Sequence, residues 1–156
     1  MNDTFALEEL KAKVNYAIQQ LRQEDRLLFC NDASERSITH KLAEYLQQIF
    51  HEYHVDCEYN RYKKDPKQLQ TENTIGKHFV FPDIVIHERG KQSRNLLVIE
   101  AKRRQRRDNL VPENDRIKLQ KFTTINGAYK YDYGLFIAFN RLKEPKLIWF
   151  QDGAEL

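Results

Sequence analysis

Cysteine is scarce: Cys30 and Cys57 are the two in the chain, far apart and without C-x-x-C spacing. That excludes a disulfide framework and a zinc site built on paired thiolates, and makes a reducing cytoplasm the expected setting. Long apolar runs are missing as well. The opening residues MNDTFALEELKAK carry acidic groups where a secretory signal would carry an apolar core, and no stretch approaches a membrane span. A soluble protein with no membrane partner is expected. Neither sign of charge dominates: 26 Lys and Arg against 23 Asp and Glu leave +3, and the pI of 8.8 is only mildly basic. That balance permits nucleic acid as a partner without requiring it. Internal repeats, low-complexity tracts, helix-turn-helix patterns and zinc fingers are all lacking, so any sequence specificity must lie in loops or in a partner protein. What is present is 156 residues with 40% apolar composition, enough for one domain over 1–156 with a real core.

Helical periodicity comes first along the chain. Phe5, Leu7, Leu10, Val14, Ala17, Ile18 and Leu21 predict an amphipathic helix from Thr4 to about Leu21 that closes the core, a dimer contact being the alternative use of that face. Arg26–Cys30 reads as a short apolar connector. A second helix is predicted from Ala33 to about His51, burying Ile38, Leu42, Tyr45, Leu46 and Ile49. Asp32 as N-cap with Glu35 three residues on forms a capping-box pattern, and Arg36 and His40 read as solvated surface groups. Val55–Tyr62 alternates as a half-buried strand with Asp56 and Glu58 facing outward. Lys63–Lys77 holds Pro66 and Gly76 without periodicity and reads as a loop bordering a substrate groove. Further on, a third helix is predicted from Asn114 to about Ile125, entered through Pro112. Tyr133–Phe139 predicts a buried central strand and Lys146–Phe150 a last strand at an edge.

The centre of the chain is FVFPDIVIHERGKQSRNLLVIEAK, Phe79 to Lys102. Its two β-rich runs, Phe79–Ile86 and Leu96–Ala101, are separated by the polar stretch Glu88–Ser93 and read as an antiparallel hairpin. Side-chain alternation sets Glu100 and Lys102 on one face and Ile99 and Ala101 on the other. Asp83 follows Pro82, which fits an edge or a bulge, and strand pairing brings it beside Glu100. Two carboxylates at close range are unfavourable unless a proton or cation lies between them. A hard divalent cation such as Mg²⁺ is satisfied by one or two carboxylates plus waters and phosphate oxygens. Immediately after, Lys102-Arg103-Arg104-Gln105-Arg106-Arg107 carries five positive charges in six residues. Because this run leaves the sheet beside the carboxylates, Arg103, Arg104, Arg106 and Arg107 are read as phosphate contacts in preference to a solvated loop.

Pro82-Asp83 followed by Glu100-Ala101-Lys102 resembles the signature of the PD-(D/E)XK nuclease superfamily, whose restriction-endonuclease-like fold includes type II restriction enzymes and archaeal Holliday junction resolvases. The predicted elements arrive as αβββαβ, the order of that family's core. The resemblance implies an α/β fold with a mixed central sheet flanked by helices, plus an extra N-terminal helix and a C-terminal strand. It implies a phosphodiester hydrolase in which Asp83, Glu100 and the Ala101 carbonyl hold Mg²⁺ or Mn²⁺ and Lys102 orients the attacking water or stabilises charge at phosphorus. It also implies that Glu35, on the first core helix, reaches toward the metal as an alternative to capping. The third helix lines the cleft, with Lys118 and Gln120 as weaker candidates for substrate contact. DNA is favoured over RNA by the habit of the family. A small nuclease core that cuts both strands of a duplex commonly works as a dimer, so a homodimer or a specificity-supplying partner is compatible. Two rival readings stand beside this one: a nucleic-acid-binding module, or a subunit of a defence or repair complex, that keeps the fold without cutting; and an accidental match in which Glu100 and Lys102 form an exposed ion pair worth under about 1 kcal/mol.

Overall fold

The computed structural model describes residues 5–59, 68–69, 78–79, 81–103 and 110–156, with the backbone alone at 68–69, 78–79 and 92. The first helix, α1 (Leu7–Glu24), buries Leu10, Val14, Ala17, Ile18 and Leu21, the 3.6-residue stripe expected of a core-closing helix, with Glu8 and Glu9 favourably placed at its positive end. Arg26–Cys30 is not a connector but a short helix, α2; its Phe29 packs against Phe139 with ring centroids 5.4 Å apart. Five residues carry too little periodicity for a sequence pattern to register. Helix α3 (Glu35–Ile49) buries Ile38, Leu42 and Leu46.

The cap of α3 corrects the sequence expectation. Asp32 has φ +51°, a left-handed backbone that no N-cap adopts, and Ser34 is the cap instead, its Oγ accepting from Ser37 N–H at 3.2 Å. Glu35 is thereby the first helical residue and not the third, so the capping box does not form.

Six strands build the main mixed sheet in the order β1-β4-β5-β6-β7-β8: β1 (His54–Cys57), β4 (Ile84–Glu88), β5 (Lys91–Lys102), β6 (Tyr133–Asn140), β7 (Lys143–Gln151) and β8 (Ala154–Glu155). Strands β5 and β6 run parallel, joined through helix α4 (Glu113–Thr123), and every other neighbouring pair is antiparallel. The fold is therefore α/β. Alternation along the strands separates two cores: Ile84, Ile86, Leu97, Ile99, Leu135 and Ile137 pack with α1 and α3, while Val85, Val98, Phe136 and Ala138 pack with Leu119 and Phe122 of α4. Helices thus cover both faces, which is why β6 is buried along almost its whole length. At Gly134 a Cβ would lie 3.1 Å from Thr123 Cγ2 and 3.3 Å from Leu119 Cδ2, so glycine lets α4 approach the sheet closely.

Several boundaries differ from expectation. Residues 68–69 and 78–79 form a separate two-stranded ladder, β2 (Gln68–Leu69) and β3 (His78–Phe79), so the expected loop contains a strand and the expected run Phe79–Ile86 is divided. The division falls at Pro82, which has no N–H for a ladder. The rest of 60–77 lies outside the described residues. The central hairpin turns at Arg89-Gly90, Gly90 at φ +80°, with Glu88 opposite Lys91, so the polar stretch expected as loop is largely strand. Exposed backbone pairs as well as buried backbone does, and periodicity of apolar residues does not report it. At the far edge β8 returns on β7 through Asp152-Gly153, both at positive φ, a hairpin absent from the sequence reading. Among the described residues of the expected strand Val55–Tyr62, those up to Cys57 lie in β1 (His54–Cys57), which ends where Glu58 takes φ +50°, and 60–62 lie outside the described residues; Cys57 is exposed and not half-buried. No described helix is long and apolar enough to cross a membrane.

Candidate active site

Four elements, β4, β5, α3 and α4, converge at one end of the sheet. The residue before β4, Asp83, is held against β5: its Oδ2 accepts from Ala101 N–H at 2.8 Å, while its carbonyl accepts from Glu58 N–H at 3.1 Å. Ile84 pairs with Ile99, so continuing that register by one residue sets Asp83 opposite Glu100. Glu100 points to the α4 side and its side chain is 1% exposed; its nearest cation is Lys118 Nζ on α4, 3.5 Å from Oε1. Two residues on, Lys102 reaches the same helix, its Nζ 3.6 Å from Asp115 Oδ2. From the opposite side of the sheet, Glu35 at the start of α3 extends over the end of β5, its Oε2 accepting from Arg103 N–H at 3.1 Å.

Electrostatically this is an over-full carboxylate site. Asp83, Glu100, Asp115 and Glu35 stand against Lys102 and Lys118, four carboxyls to two ammoniums. Burial pushes the Glu100 carboxyl well above its ordinary range, and the neighbouring Asp83 charge pushes it further. Burial also raises Asp83, against the pull of the Ala101 N–H and of Lys102 and Lys118. Burial acts to lower Lys102, but the surrounding carboxylates of Asp115, Glu35, Asp83 and Glu100 prevail and raise it, so its ammonium is charged at neutral pH. Among the described residues, Glu100 Oε1 and Asp115 Oδ2 are buried with no hydrogen-bond partner. A buried acceptor without a donor is costly, and a cation or a substrate donor would relieve it.

Among the described residues no group of three or more His, Cys, Asp or Glu side chains is arranged to hold a metal ion. Asp83, Glu100 and the Ala101 carbonyl are a set of oxygen donors of the kind Mg²⁺ or Mn²⁺ takes with water completing the shell, so the residues present fit such an ion. A pocket of about 320 Å³ opens beside Asp83 and Glu35, with Arg36, His40 and Glu58 on its wall.

The candidates from sequence thus fall into three groups. Asp83, Glu100, Ala101, Lys102, Glu35 and Lys118 lie together. Arg103 turns inward, its Nη1 donating to the carbonyls of Asp32 at 2.8 Å and Ala33 at 3.2 Å, which ties α3 to β5 and occupies donors expected for phosphate. Gln120 is on the next turn of α4, where its carbonyl accepts from Thr124 Oγ1 at 2.7 Å. Arg104, Arg106 and Arg107 lie outside the described residues. Asp115 was missed. An acidic residue in a first helical turn reads only as a start signal, although its three-residue spacing from Lys118 put both on one helix face.

A second polar cluster lies at the other end of β4. His87, 3% exposed, sits 2.8 Å from Asp56 Oδ2, and Arg89 binds the same carboxylate through Nε and Nη2. Burial works to raise the Asp56 carboxyl, but Arg89 and His87 outweigh it and hold it below the ordinary range. Asp56 was expected to face solvent; it is an internal clamp.

Comparison with family models, with curated proteins and with solved structures finds no match to this chain.

Proposed function

We propose that the chain is a metal-dependent nuclease of the PD-(D/E)XK superfamily, hydrolysing phosphodiester bonds in nucleic acid, with DNA the favoured substrate. The observation that carries this reading is the buried Glu100 carboxyl beside Asp83; among the described residues Glu100 Oε1 has no hydrogen-bond partner and meets only the Lys118 ammonium at 3.5 Å. The element order α3-β1-β4-β5-α4-β6, with the β5–β6 pair parallel, supports a restriction-endonuclease-like αβββαβ core, α1 being the added N-terminal helix and β7–β8 the added C-terminal strands. Both free cysteines, Cys30 and Cys57, suit a reducing cytoplasm.

Asp83, Glu100 and the Ala101 carbonyl would hold Mg²⁺ or Mn²⁺. Such an ion, when bound, polarises the scissile phosphate and lowers the pKa of a coordinated water. Lys102 supplies an ammonium for the attacking water or for charge developing on phosphate oxygens. Asp115 positions Lys102, and Lys118 serves as the second cation facing the phosphate. Glu35, fastened to Arg103 N–H, closes the site from the α3 side.

The test is incubation of purified protein with plasmid, single-stranded and branched DNA in Mn²⁺, in Mg²⁺ and in EDTA, with Asp83→Ala and Glu100→Gln as controls. Cleavage in metal that both controls abolish is expected. No cleavage of any substrate by the parent, or undiminished cleavage by the controls, would remove the nuclease reading.

A further inference from the structure

A basic pocket lies beyond the C-terminal end of β6, about 450 Å³ in volume, with Arg22 of α1, Arg26 of α2 and Arg141 of the β6–β7 turn on its walls and Phe29 and Leu142 between them. The three guanidiniums are not equivalent. Arg22 is held in place, donating through Nη1 to Gln19 Oε1 at 2.9 Å and Glu144 Oε1 at 2.6 Å, and through Nη2 to the Leu142 carbonyl at 2.8 Å. Arg26 is exposed and makes no side-chain hydrogen bond or ion pair among the described residues. Arg141 is 67% exposed, with a single long ion pair to Asp32 at 3.5 Å. The pocket therefore has one guanidinium that shapes it and two that can take an anion.

Two further features point to a phosphate ester. Arg141 stands at φ +50°, where an L residue with a Cβ is disfavoured and Gly or Asn would be relaxed. The pocket is also joined to the candidate active site: Arg141 pairs with Asp32, the Asp32 carbonyl accepts from Arg103, and Arg103 N–H meets Glu35. Counting Arg22, Arg26, Arg103 and Arg141 against Asp32, Glu35 and Glu144, four minus three, leaves one positive charge along this route. The apolar surface between the guanidiniums is chiefly the exposed Leu142, since Phe29 is buried and packs on Phe139; it suits the edge of a nucleobase, and the volume falls in the range of small-ligand sites.

We propose that this pocket binds one nucleotide of the nucleic-acid strand away from the scissile bond, its phosphate on Arg26 and Arg141 and its base against Leu142. The inference rests on nucleic acid being the substrate of the neighbouring site, but it is tested by binding, without cleavage. Fluorescence anisotropy of a labelled single-stranded oligonucleotide, titrated in EDTA across a salt series, compares the parent with Arg26→Ala/Arg141→Asn; asparagine suits the left-handed backbone. Loss of two phosphate contacts should reduce the log–log salt slope by about 1.4, at about 0.7 per contact on single strands. Arg26→Lys/Arg141→Lys keeps both charges and should keep the slope; its loss there too would overturn the phosphate contacts in favour of a folding defect. An unchanged slope in the neutralised variant, or no binding by the parent, would overturn the proposal. Competition by a free nucleoside monophosphate as tight as that of the oligonucleotide would overturn the assignment to a strand. Binding that depends on Arg26 and Arg141 in a protein that cuts nothing would uphold the pocket while the nuclease reading fails.

Discussion

Asp83 Oδ2 accepts a hydrogen bond from Ala101 N–H at 2.8 Å, which fastens the carboxylate to β5 between Glu100 and Lys102. The three residues of the proposed chemistry are thus set by one backbone register and do not depend on a flexible loop.

That fixed convergence gives the metal-free protein a definite pH response. Asp83 and Glu100 are both raised in the fold, so the folded protein keeps protons that the unfolded chain has released. The contribution of these two carboxyls to stability is therefore greatest below the ordinary carboxylate range, about 4, and falls as pH rises through the folded values. Glu100→Gln should flatten this fall and raise the melting temperature of the metal-free protein near pH 8. Thermal scans from pH 4 to 8 check it, and an equal fall in the variant would dissociate the buried Glu100 from the effect.

The same carboxylates should respond to metal. With Mn²⁺ at ten times its dissociation constant, binding to the folded state alone stabilises by about 1.4 kcal/mol. At this chain length that is roughly 3 to 6 °C in melting temperature. Asp83→Asn is expected to shrink the shift while slightly raising the metal-free melting temperature. A full shift in that variant would exclude Asp83 from the ion's donors.

Lys102→Ala should reduce single-turnover cleavage by about 100-fold or more, the scale seen when a donor to developing charge is removed. The Mn²⁺ shift should persist, because an ammonium is not a ligand. Rates comparable to the parent would exclude Lys102 from the chemistry.

Glu35 and Ser34 separate catalysis from capping. Ser34→Ala removes the α3 cap and should cost about 1 kcal/mol with cleavage retained. Glu35→Gln keeps an acceptor for Arg103 N–H and removes the charge, so it should lower cleavage with little change in melting temperature. Normal cleavage by Glu35→Gln would reduce that residue to a tie between α3 and β5.

Asp56→Ala is a purely structural prediction. It removes the acceptor facing His87 and Arg89 and should destabilise by about 1–3 kcal/mol, read by denaturant unfolding. The contribution of Asp56 is present above the ordinary carboxylate pKa and is lost as pH falls through its depressed value. A neutral result would make the clamp incidental.

The long apolar patterns were legible: α1, α3, β6 and the facing of Glu100 and Lys102 to one side follow from period and alternation. What escaped was written in single residues. The α2 turn rests on Phe29 meeting Phe139, 110 positions later in the chain, and no local window contains that contact. The true cap, Ser34, lay two residues from the chosen one, and only the left-handed Asp32 separates them. Asp152-Gly153 is a hairpin signal in its own right, but the strand after it has two residues, too few for alternation to mark. Asp115 became visible as a partner of Lys102 only when the crossover laid α4 along β5. At Arg103 the charge count gave no sign that one guanidinium nitrogen would grip the carbonyls of Asp32 and Ala33, because a count of charges does not report backbone partners.

Gly134 has a mechanical consequence for the site. A Cβ there would press on Leu119 and Thr123 of α4, the helix that also carries Asp115 and Lys118, so the helix bears on the sheet like a beam on a fulcrum. A methyl group at position 134 would tilt the beam, and the 3.5 and 3.6 Å gaps that separate the two ammoniums from their carboxylates would open or close with it. The alignment of cation and anion in the cleft is thus gauged by a hydrogen atom on the neighbouring strand.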